Sequence, residues 1–251
     1  MSIKKNFFAP WSKGLGATRR AAMLLLVMML TATTAWATDK TLSGSESYTA
    51  QDGDVLTGST SGTVTIAADA KITLSDVTIT GGIVCAGTAE ITLVGTNSVT
   101  GASNKAGIQI GDYGTTLTIK GNGSLTANGG YQSAGIGLSR IWNYDSNVAS
   151  GNIVIEGGTI TATGGYWGSG IGIGTVKNTN NDNSTSVQFG NITIKGGSVT
   201  ATGGDSGDGI GKGYSYSGPA ITFGTATLAP VVVIADTTVN TRSIGTMSDT
   251  R

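Results

Sequence analysis

The sequence predicts an all-β protein, a single-stranded right-handed parallel β-helix, and three observations support this fold class. One pattern recurs in four copies of decreasing similarity, at 190–213, 151–174, 115–138 and 90–111. Within the copies, short segments alternate branched apolar residues with threonine, as strands do when one face is buried. Each segment ends at glycine, aspartate, asparagine or serine. A small β-unit repeated in this way is typical of a solenoid.

Each copy contains three strand candidates in a fixed order. In 190–213, GNITIKGGSVTATGGDSGDGIGKG, they are I-T-I, V-T-A-T and G-I-G. Three short strands per coil, joined by tight glycine turns, indicate a parallel β-helix, and the usual crossover predicts a right-handed coil. Equivalent residues should then stack at about 4.8 Å. We expect buried stacks of Ile153 on Ile192, Ile155 on Ile194 and Ile171 on Ile210, and an exposed hydroxyl column of Thr126, Thr161 and Thr200.

The β-helix is predicted to extend beyond the four copies, over 38–236. Upstream strands are expected at 64–66, 72–74, 77–79 and 83–85, while 38–50 is an irregular lead-in or a degenerate first coil. A closing coil is expected at 220–236, because a solenoid end must cover its exposed edge. The polar segment 237–251 is predicted to be a C-terminal tail.

The first 37 residues have the features of a secretory signal peptide. A basic leader precedes ten apolar or small residues at 21–30, and Ala35-Trp36-Ala37 has the small-x-small pattern of a cleavage site. Cleavage is expected before Thr38. Ten apolar residues are too few for a membrane span, which needs about 20. We therefore expect a bacterial protein that is secreted or displayed on the cell surface, with no membrane span after cleavage.

Composition disfavours several classes of function. The predicted leader contains five of the fifteen Lys and Arg residues and none of the fifteen Asp and Glu residues, which leaves a mature net charge of −5. An acidic exported protein is a poor candidate for binding nucleic acid or anionic lipid. The chain has no histidine, which removes the commonest general base and a leading zinc ligand. Cys85 is the only cysteine, so no intramolecular disulfide can form.

Insertions between the repeats are the best candidates for function, because binding residues concentrate in loops on a rigid scaffold. If Ile91, Leu117, Ile153, Ile192 and Ile221 are equivalent, the coils differ in length. The extra residues fall mainly after the G-I-G strand, at 139–150, 175–189 and 214–219. Consecutive coils should place these three segments side by side.

Most aromatic residues of the predicted mature chain fall in these insertions or in the turn after T-A-T-G-G. Exposed rings beside polar side chains suit sugars, whose C–H faces lie on aromatic planes while their hydroxyls form hydrogen bonds. The alternative is that the rings cap the loops and pack against the solenoid wall. The carbohydrate-binding candidates are Tyr131, Trp142, Tyr144, Tyr166, Trp167, Tyr214 and Tyr216.

Other chemistries have weaker support. Oxygen-rich loops can hold calcium, and Asp182, Asp205 and Asp208 are the candidate ligands, although solvated carboxylates are the commoner explanation. The strands carry isolated Glu90 and Glu156 and no paired acids, so catalysis by a polysaccharide lyase or glycosidase is not expected. The T-x-T positions resemble a hydroxyl array of an ice-binding protein, but few coils contribute to it.

The repeats resemble known families. The pattern G-x-I-T-I-x-G-G-x-[VI]-T-A-T-G-G…G-x-G-I-G looks like glycine-rich repeats of surface proteins from gut anaerobes. The segments VTIAADAKITLSDVTIT, AEITLVGTNSVTG and TLTIKGNGSLTANGG are similar to a family of secreted right-handed β-helix carbohydrate-binding domains. The resemblance covers about 64–223. It implies non-catalytic binding of plant or microbial polysaccharide, with calcium in some members.

Two hypotheses for the function follow. The first is an exported, non-catalytic module that binds polysaccharide through aromatic-bearing loops on one edge of the solenoid. The second is a structural or adhesin-type surface protein that recognises a protein partner.

Overall fold

The computed structural model of the chain describes residues 38–142, 147–177, 186–215, 221–224, 226–228 and 232–237. All the secondary-structure elements in these residues are β-strands, and all the pairings between two of these strands are parallel. This part of the chain contains no helix long and apolar enough to cross a membrane. The predicted all-β parallel β-helix is confirmed, while the predicted signal peptide at 1–37 lies outside the described residues.

The strands follow the coils in order. Upstream of the four repeats they are β1 (Asp39–Leu42), β2 (Tyr48–Ala50), β3 (Val55–Thr60), β4 (Val64–Ile66), β5 (Ala70–Ile79) and β6 (Ile83–Cys85). The first two repeats and the insertion at 139–150 contain β7 (Ala89–Val94), β8 (Thr96–Thr100), β9 (Ile108–Gln109), β10 (Thr116–Gly121), β11 (Ser124–Asn128), β12 (Ile136–Gly137), β13 (Ile141–Trp142) and β14 (Val148–Ala149). The remainder contains β15 (Asn152–Ile155), β16 (Thr159–Thr163), β17 (Ile171–Gly172), β18 (Val176–Lys177), β19 (Val187–Phe189), β20 (Ile192–Ile194), β21 (Ser198–Gly203), β22 (Ile210–Gly211), β23 (Ile221–Phe223), β24 (Ala226–Leu228) and β25 (Val232–Thr237).

Strands of equivalent position stack into continuous sheets. The first and second strands of the coils form one 13-stranded sheet because the ten-residue strand β5 pairs with β7 along its first part and with β8 along its second. The third strands form a separate seven-stranded sheet, β2-β4-β6-β9-β12-β17-β22. Strand β2 is the first member of that sheet, so 38–50 is the first coil of the solenoid.

Alternating burial along the strands forms the core. Ile153 pairs with Ile192, Ile155 with Ile194 and Ile171 with Ile210, and all six are buried. Thr126, Thr161 and Thr200 stack in register on the outer face of the wall. The predicted apolar stacks and the hydroxyl column are therefore confirmed. Both follow from the two-residue period of a strand, which sends alternate side chains to opposite faces.

One predicted equivalence is wrong by two residues. Ile91 pairs with Ile119, and Leu117 pairs with Ala89. A shift of two residues keeps every side chain on its original face, so the apolar pattern alone cannot exclude it. The shift places Asn97 opposite Leu125 in the core. Its side chain is 1% exposed, accepts a hydrogen bond from Val77 N at 3.2 Å, and donates to two backbone carbonyls.

The insertions also differ from the prediction. Their ends are strands that extend the parallel stacking: β13 pairs with β18, and β14, β19 and β23 form a three-stranded sheet. Val187 and Phe189 in β19 are fully buried. The proposed equivalence of Ile221 with Ile192 is wrong, because Ile221 belongs to this additional three-stranded sheet. Ile221 pairs with Val187, whereas Ile192 pairs with Ala226. The described ends of the insertions thus add wall to the later coils and lie side by side, as expected.

Candidate functional site

The turn that follows the T-A-T-G-G pattern is built by close backbone contact between coils. A Cβ atom on Gly130 would lie 1.9 Å from Ala102 O, one on Gly165 would lie 1.9 Å from Gly130 O, and one on Gly204 would lie 2.0 Å from Gly165 O. No side chain fits at these three positions. Tyr131 follows Gly130 and Tyr166 follows Gly165, so the two tyrosines are held at the spacing of neighbouring coils.

The second residue after each of these glycines has a left-handed backbone. Gln132, Trp167 and Ser206 occupy this position in three successive coils. Asn104, two residues after Ala102, is its equivalent in the coil before them, and φ of the four residues lies between +60° and +66°. Asparagine adopts this conformation readily, but a bulky aromatic residue rarely does, and the backbone strain costs about 1–2 kcal/mol. The turn therefore imposes a strained backbone on Trp167. Such strain at an exposed turn is a reason to look for a role beyond packing.

Four aromatic side chains, Tyr131, Tyr166, Trp167 and Tyr214, meet at this corner and are called here the aromatic row. The rings of Tyr131 and Tyr166 stack with centroids 5.9 Å apart and planes 8° from parallel. Trp167 lies 4.6 Å from Tyr166 and 5.1 Å from Tyr214, centroid to centroid, and both of these ring pairs are tilted by 31°. The row therefore runs across successive coils, along the stacking direction of the strands.

Backbone hydrogen bonds attach the far end of the row to the turn. The carbonyl oxygen of Trp167 accepts a hydrogen bond from Tyr214 N at 2.7 Å and another from the Thr175 hydroxyl at 3.3 Å. Thr175 N in turn donates to the carbonyl of Gln132, the residue equivalent to Trp167 in the preceding coil, at 2.8 Å. The insertions that begin at Thr175 and Tyr214 are thereby fixed against the turn at their first residue, which brings Tyr214 to Trp167.

The row is accessible to solvent. Tyr131 is 51% exposed, Tyr166 45% and Tyr214 37%, whereas Trp167 is half-buried. Partial desolvation and the neighbouring Asp205 carboxylate raise the pKa of the Tyr166 phenol. Tyr166 therefore stays a neutral hydroxyl at physiological pH. The row combines apolar ring surface with hydroxyl and carboxylate groups at its margin.

Trp142 belongs to a different arrangement. The guanidinium carbon of Arg140 lies 4.6 Å from the centre of the Trp142 ring, and Lys177 Nζ lies 4.5 Å from it. Strand register explains both contacts, because Arg140 is two residues before Trp142 and Lys177 pairs with Trp142 across β13 and β18. This cluster of Arg140, Trp142 and Lys177 is called the cationic cluster. Cation–π contacts of this kind contribute about 0.5–1 kcal/mol at exposed sites.

Part of this arrangement was predictable from the sequence. All four members of the row and Trp142 are among the predicted site residues, while Tyr144 and Tyr216 lie outside the described residues. Arg140 and Lys177 are not among them. The two-residue spacing of Arg140 from Trp142 could have indicated the first contact, since residues two apart share a strand face. Lys177 is brought to Trp142 only by the register between coils.

The candidate calcium ligands have separate surroundings. The Asp208 carboxylate is 6% exposed and accepts a hydrogen bond from Lys212 N at 2.9 Å, which closes a local turn. Asp205 lies beside Tyr166, and Asp182 is not among the described residues. Those residues contain no group of three or more His, Cys, Asp or Glu side chains placed to hold a metal ion. A calcium site thus stays a prediction.

The aromatic row is a surface and not a cavity. A groove of about 550 Å³ lies at a different corner, between the first and second strands of the coils, where Thr92, Val94 and Asn122 are among its lining residues. None of the residues of the row lines it. Pockets for small molecules are usually concave and enclose most of the ligand. The flat, exposed row is better matched to an extended ligand.

Comparison with known proteins agrees with the fold. Residues 117–139, 153–172 and 192–211 match a family described as the β-helix repeat. These three segments contain the three strands of successive coils, so the chain is similar to β-helix repeat proteins in the part that builds its wall. Comparisons with curated proteins and with solved structures each gave no match.

Proposed function

We propose that this protein is an exported, non-catalytic module that binds polysaccharide along the aromatic row. The observation that carries the proposal is the contact of Tyr131, Tyr166, Trp167 and Tyr214 across successive coils, with three of the four rings exposed. Aromatic side chains supply a large apolar surface and, in tyrosine, a hydroxyl that can bond to a sugar. A row that follows the stacked coils would contact several units of a polymer.

The rings also contact one another, which is the arrangement expected if they only support the turn. Two features favour a ligand. Although the rings pack against one another, each tyrosine of the row remains 37–51% exposed to solvent. In addition, the turn tolerates polar residues at the same positions, since Asp205 and Ser206 replace Tyr166 and Trp167 one coil later. Aromatic side chains are therefore not needed to form the turn.

We expect no catalysis at the strand-borne carboxylates. Glu90 pairs with Lys120 at 2.7 Å and Glu156 pairs with Lys195 at 3.0 Å, nitrogen to oxygen. Each carboxylate thus faces a lysine of the adjacent coil, and neither faces a second acid. Hydrolysis of a glycosidic bond by the usual route requires two carboxyl groups about 5–10 Å apart on either side of the bond.

Binding to a panel of plant and microbial polysaccharides, by affinity electrophoresis and by glycan array, tests the proposal. We expect retention by at least one polysaccharide, and a loss of affinity of tenfold or more in Tyr131→Ala and in Trp167→Asn. The Asn variant keeps the left-handed backbone that Asn104 adopts in an equivalent turn. Tyr113→Ala is the matched control, because Tyr113 is 71% exposed and lies in a different turn.

A protein partner is the second candidate, and the cationic cluster favours it. Tryptophan, tyrosine and arginine are enriched in protein–protein interfaces and among their energetic hot spots. Trp142→Ala separates the two candidates. Loss of adhesion to a host or bacterial surface protein in this variant, with no polysaccharide bound by the parent chain, would replace the carbohydrate proposal with an adhesin function.

A further inference from the structure

The carboxylate of Asp54, at the start of the solenoid, is buried and surrounded by uncharged hydrogen-bond donors. Asp54 is 1% exposed, and Asp54 Oδ2 accepts hydrogen bonds from Tyr48 Oη and from Gln51 N, both at 2.8 Å. Asp54 Oδ1 accepts from the Thr38 hydroxyl at 2.6 Å and lies 3.3 Å from Thr38 N. Four donors converge on one buried side chain.

This carboxylate is charged at neutral pH. Burial by itself raises the pKa of Asp54, but the hydrogen bonds from Thr38, Gln51 and Tyr48 outweigh it and hold the pKa below the ordinary value. A buried charge is costly unless an opposite charge accompanies its hydrogen bonds. Asp54 takes no part in the ion pair of Lys120 with Glu90 or in that of Lys195 with Glu156. The nearby Lys40 ammonium lies over the Tyr48 ring, 5.0 Å from its centre.

Thr38 is also the residue before which the sequence predicts cleavage of the leader. Cleavage there would convert Thr38 N from a neutral amide into an α-ammonium group without requiring any movement of Asp54. The carbonyl of Thr38 already accepts a hydrogen bond from Val55 N at 3.0 Å, which fixes the residue against β3. A cation would therefore form 3.3 Å from Asp54 Oδ1, at a nitrogen that already donates a hydrogen bond to this carboxylate.

We propose that Asp54 is a binding site for the α-ammonium group of the mature N-terminus, so that removal of the leader completes an ion pair that locks the first coil. The proposal rests on the predicted cleavage and is independent of carbohydrate binding. It explains why four donors from 38–51 converge on a side chain that follows them in sequence. It also gives the first coil, which has a neighbour on one side only among the described strands, a contact that the later coils do not need.

Export of the full chain in a bacterial host, followed by intact-mass measurement, establishes the mature N-terminus, which we expect to be Thr38. Denaturant unfolding at pH 7 is then compared for a chain that begins at Thr38 and one with a single glycine ahead of it. The extra residue moves the ammonium group away and leaves Thr38 N as an amide. We expect the extra glycine to lower the denaturant midpoint of unfolding when Asp54 is present. In chains that carry Asp54→Asn, the extra glycine should leave the midpoint unchanged.

A second measurement does not depend on that variant folding. Beside a buried carboxylate, the pKa of the α-amine should rise above its usual range of about 7.7–8.0. Each unit of increase makes acylation of the amine about tenfold slower at neutral pH, and we expect at least this difference between the Thr38 chain and the glycine-extended chain. A mature N-terminus other than Thr38, equal acylation rates, or an equal effect of glycine with and without Asp54 would overturn the proposal.

Discussion

Tyr131 and Tyr166 stack in parallel, with centroids 5.9 Å apart, although they belong to successive coils and a complete turn of the solenoid separates them in sequence. The stack exists because Gly130 and Gly165, directly before them, allow the two turns to approach to backbone contact. Aromatic pairs contribute about 0.5–1.5 kcal/mol beyond the area they bury. Tertiary register therefore creates both the exposed row and its internal support.

The stack predicts a coupling free energy between the two tyrosines. In a double-mutant cycle with Tyr131→Ala and Tyr166→Ala, we expect an interaction of about 0.5–1 kcal/mol in the free energy of unfolding. Tyr113 lies in a separate turn, so a cycle of Tyr166→Ala with Tyr113→Ala should be additive. Equal coupling in both cycles would show that the ring contact does not hold the turns together.

The backbone of Trp167 predicts which residues can replace it. With φ of +66°, asparagine should be tolerated, whereas a β-branched residue should be strongly disfavoured. We expect Trp167→Val to be less stable than Trp167→Asn by about 1–2 kcal/mol in chemical denaturation. Ser206, with φ of +63°, gives the matched comparison, since Ser206→Val and Ser206→Asn should differ in the same direction.

The glycines of the turn predict a steric effect that is separate from backbone strain. In Gly165→Ala the new methyl group would lie 1.9 Å from Gly130 O, so the two coils must separate. We expect a loss of about 3 kcal/mol or more in the free energy of unfolding. Gly114→Ala is the control, because its φ of +84° is strained but no atom lies within 4 Å of the added carbon. A loss in Gly165→Ala no larger than that in Gly114→Ala would mean that the coils accommodate the added methyl group without separating.

Cys85 predicts the response of the core to alkaline pH. Complete burial raises the pKa of its thiol from 9.0 to about 12. Since the unfolded thiol ionises first, the contribution of Cys85 to stability is fully present below about pH 9 and is lost as the pH rises towards 12, at 1.36 kcal/mol per unit. Denaturation of the parent and Cys85→Ala chains at pH 7 and 10.5 should show a larger decline in the parent.

The same burial predicts that the thiol is chemically silent in the folded protein. A thiol-specific reagent at pH 8 should react with Cys85 only as fast as the chain unfolds, because the thiolate is the reactive species and needs access to solvent. Rapid stoichiometric labelling of the folded chain would contradict the position of β6 in the wall of the solenoid.

Some of the candidate site could be predicted from sequence and some could not. Tyr166 and Trp167 were found because they replace Asp205 and Ser206 in an otherwise similar repeat. The contact of Tyr214 with Trp167 depends on a hydrogen bond between residues of different coils, and no spacing rule indicates it. The contact of Lys177 with Trp142 likewise requires the register of two strands in the insertions.

The sequence by itself determined the parallel β-helix and the stacks at Ile153 and Ile192, because alternation of apolar and polar residues specifies which face is buried and repetition specifies what stacks. Tertiary structure alone decided that Ile91 lies beside Ile119 and that Tyr131 stacks on Tyr166. A register shift of two residues preserves every buried face, so only the packing of whole coils selects one register. The side-chain contacts between coils, including those of the aromatic row, depend on that register.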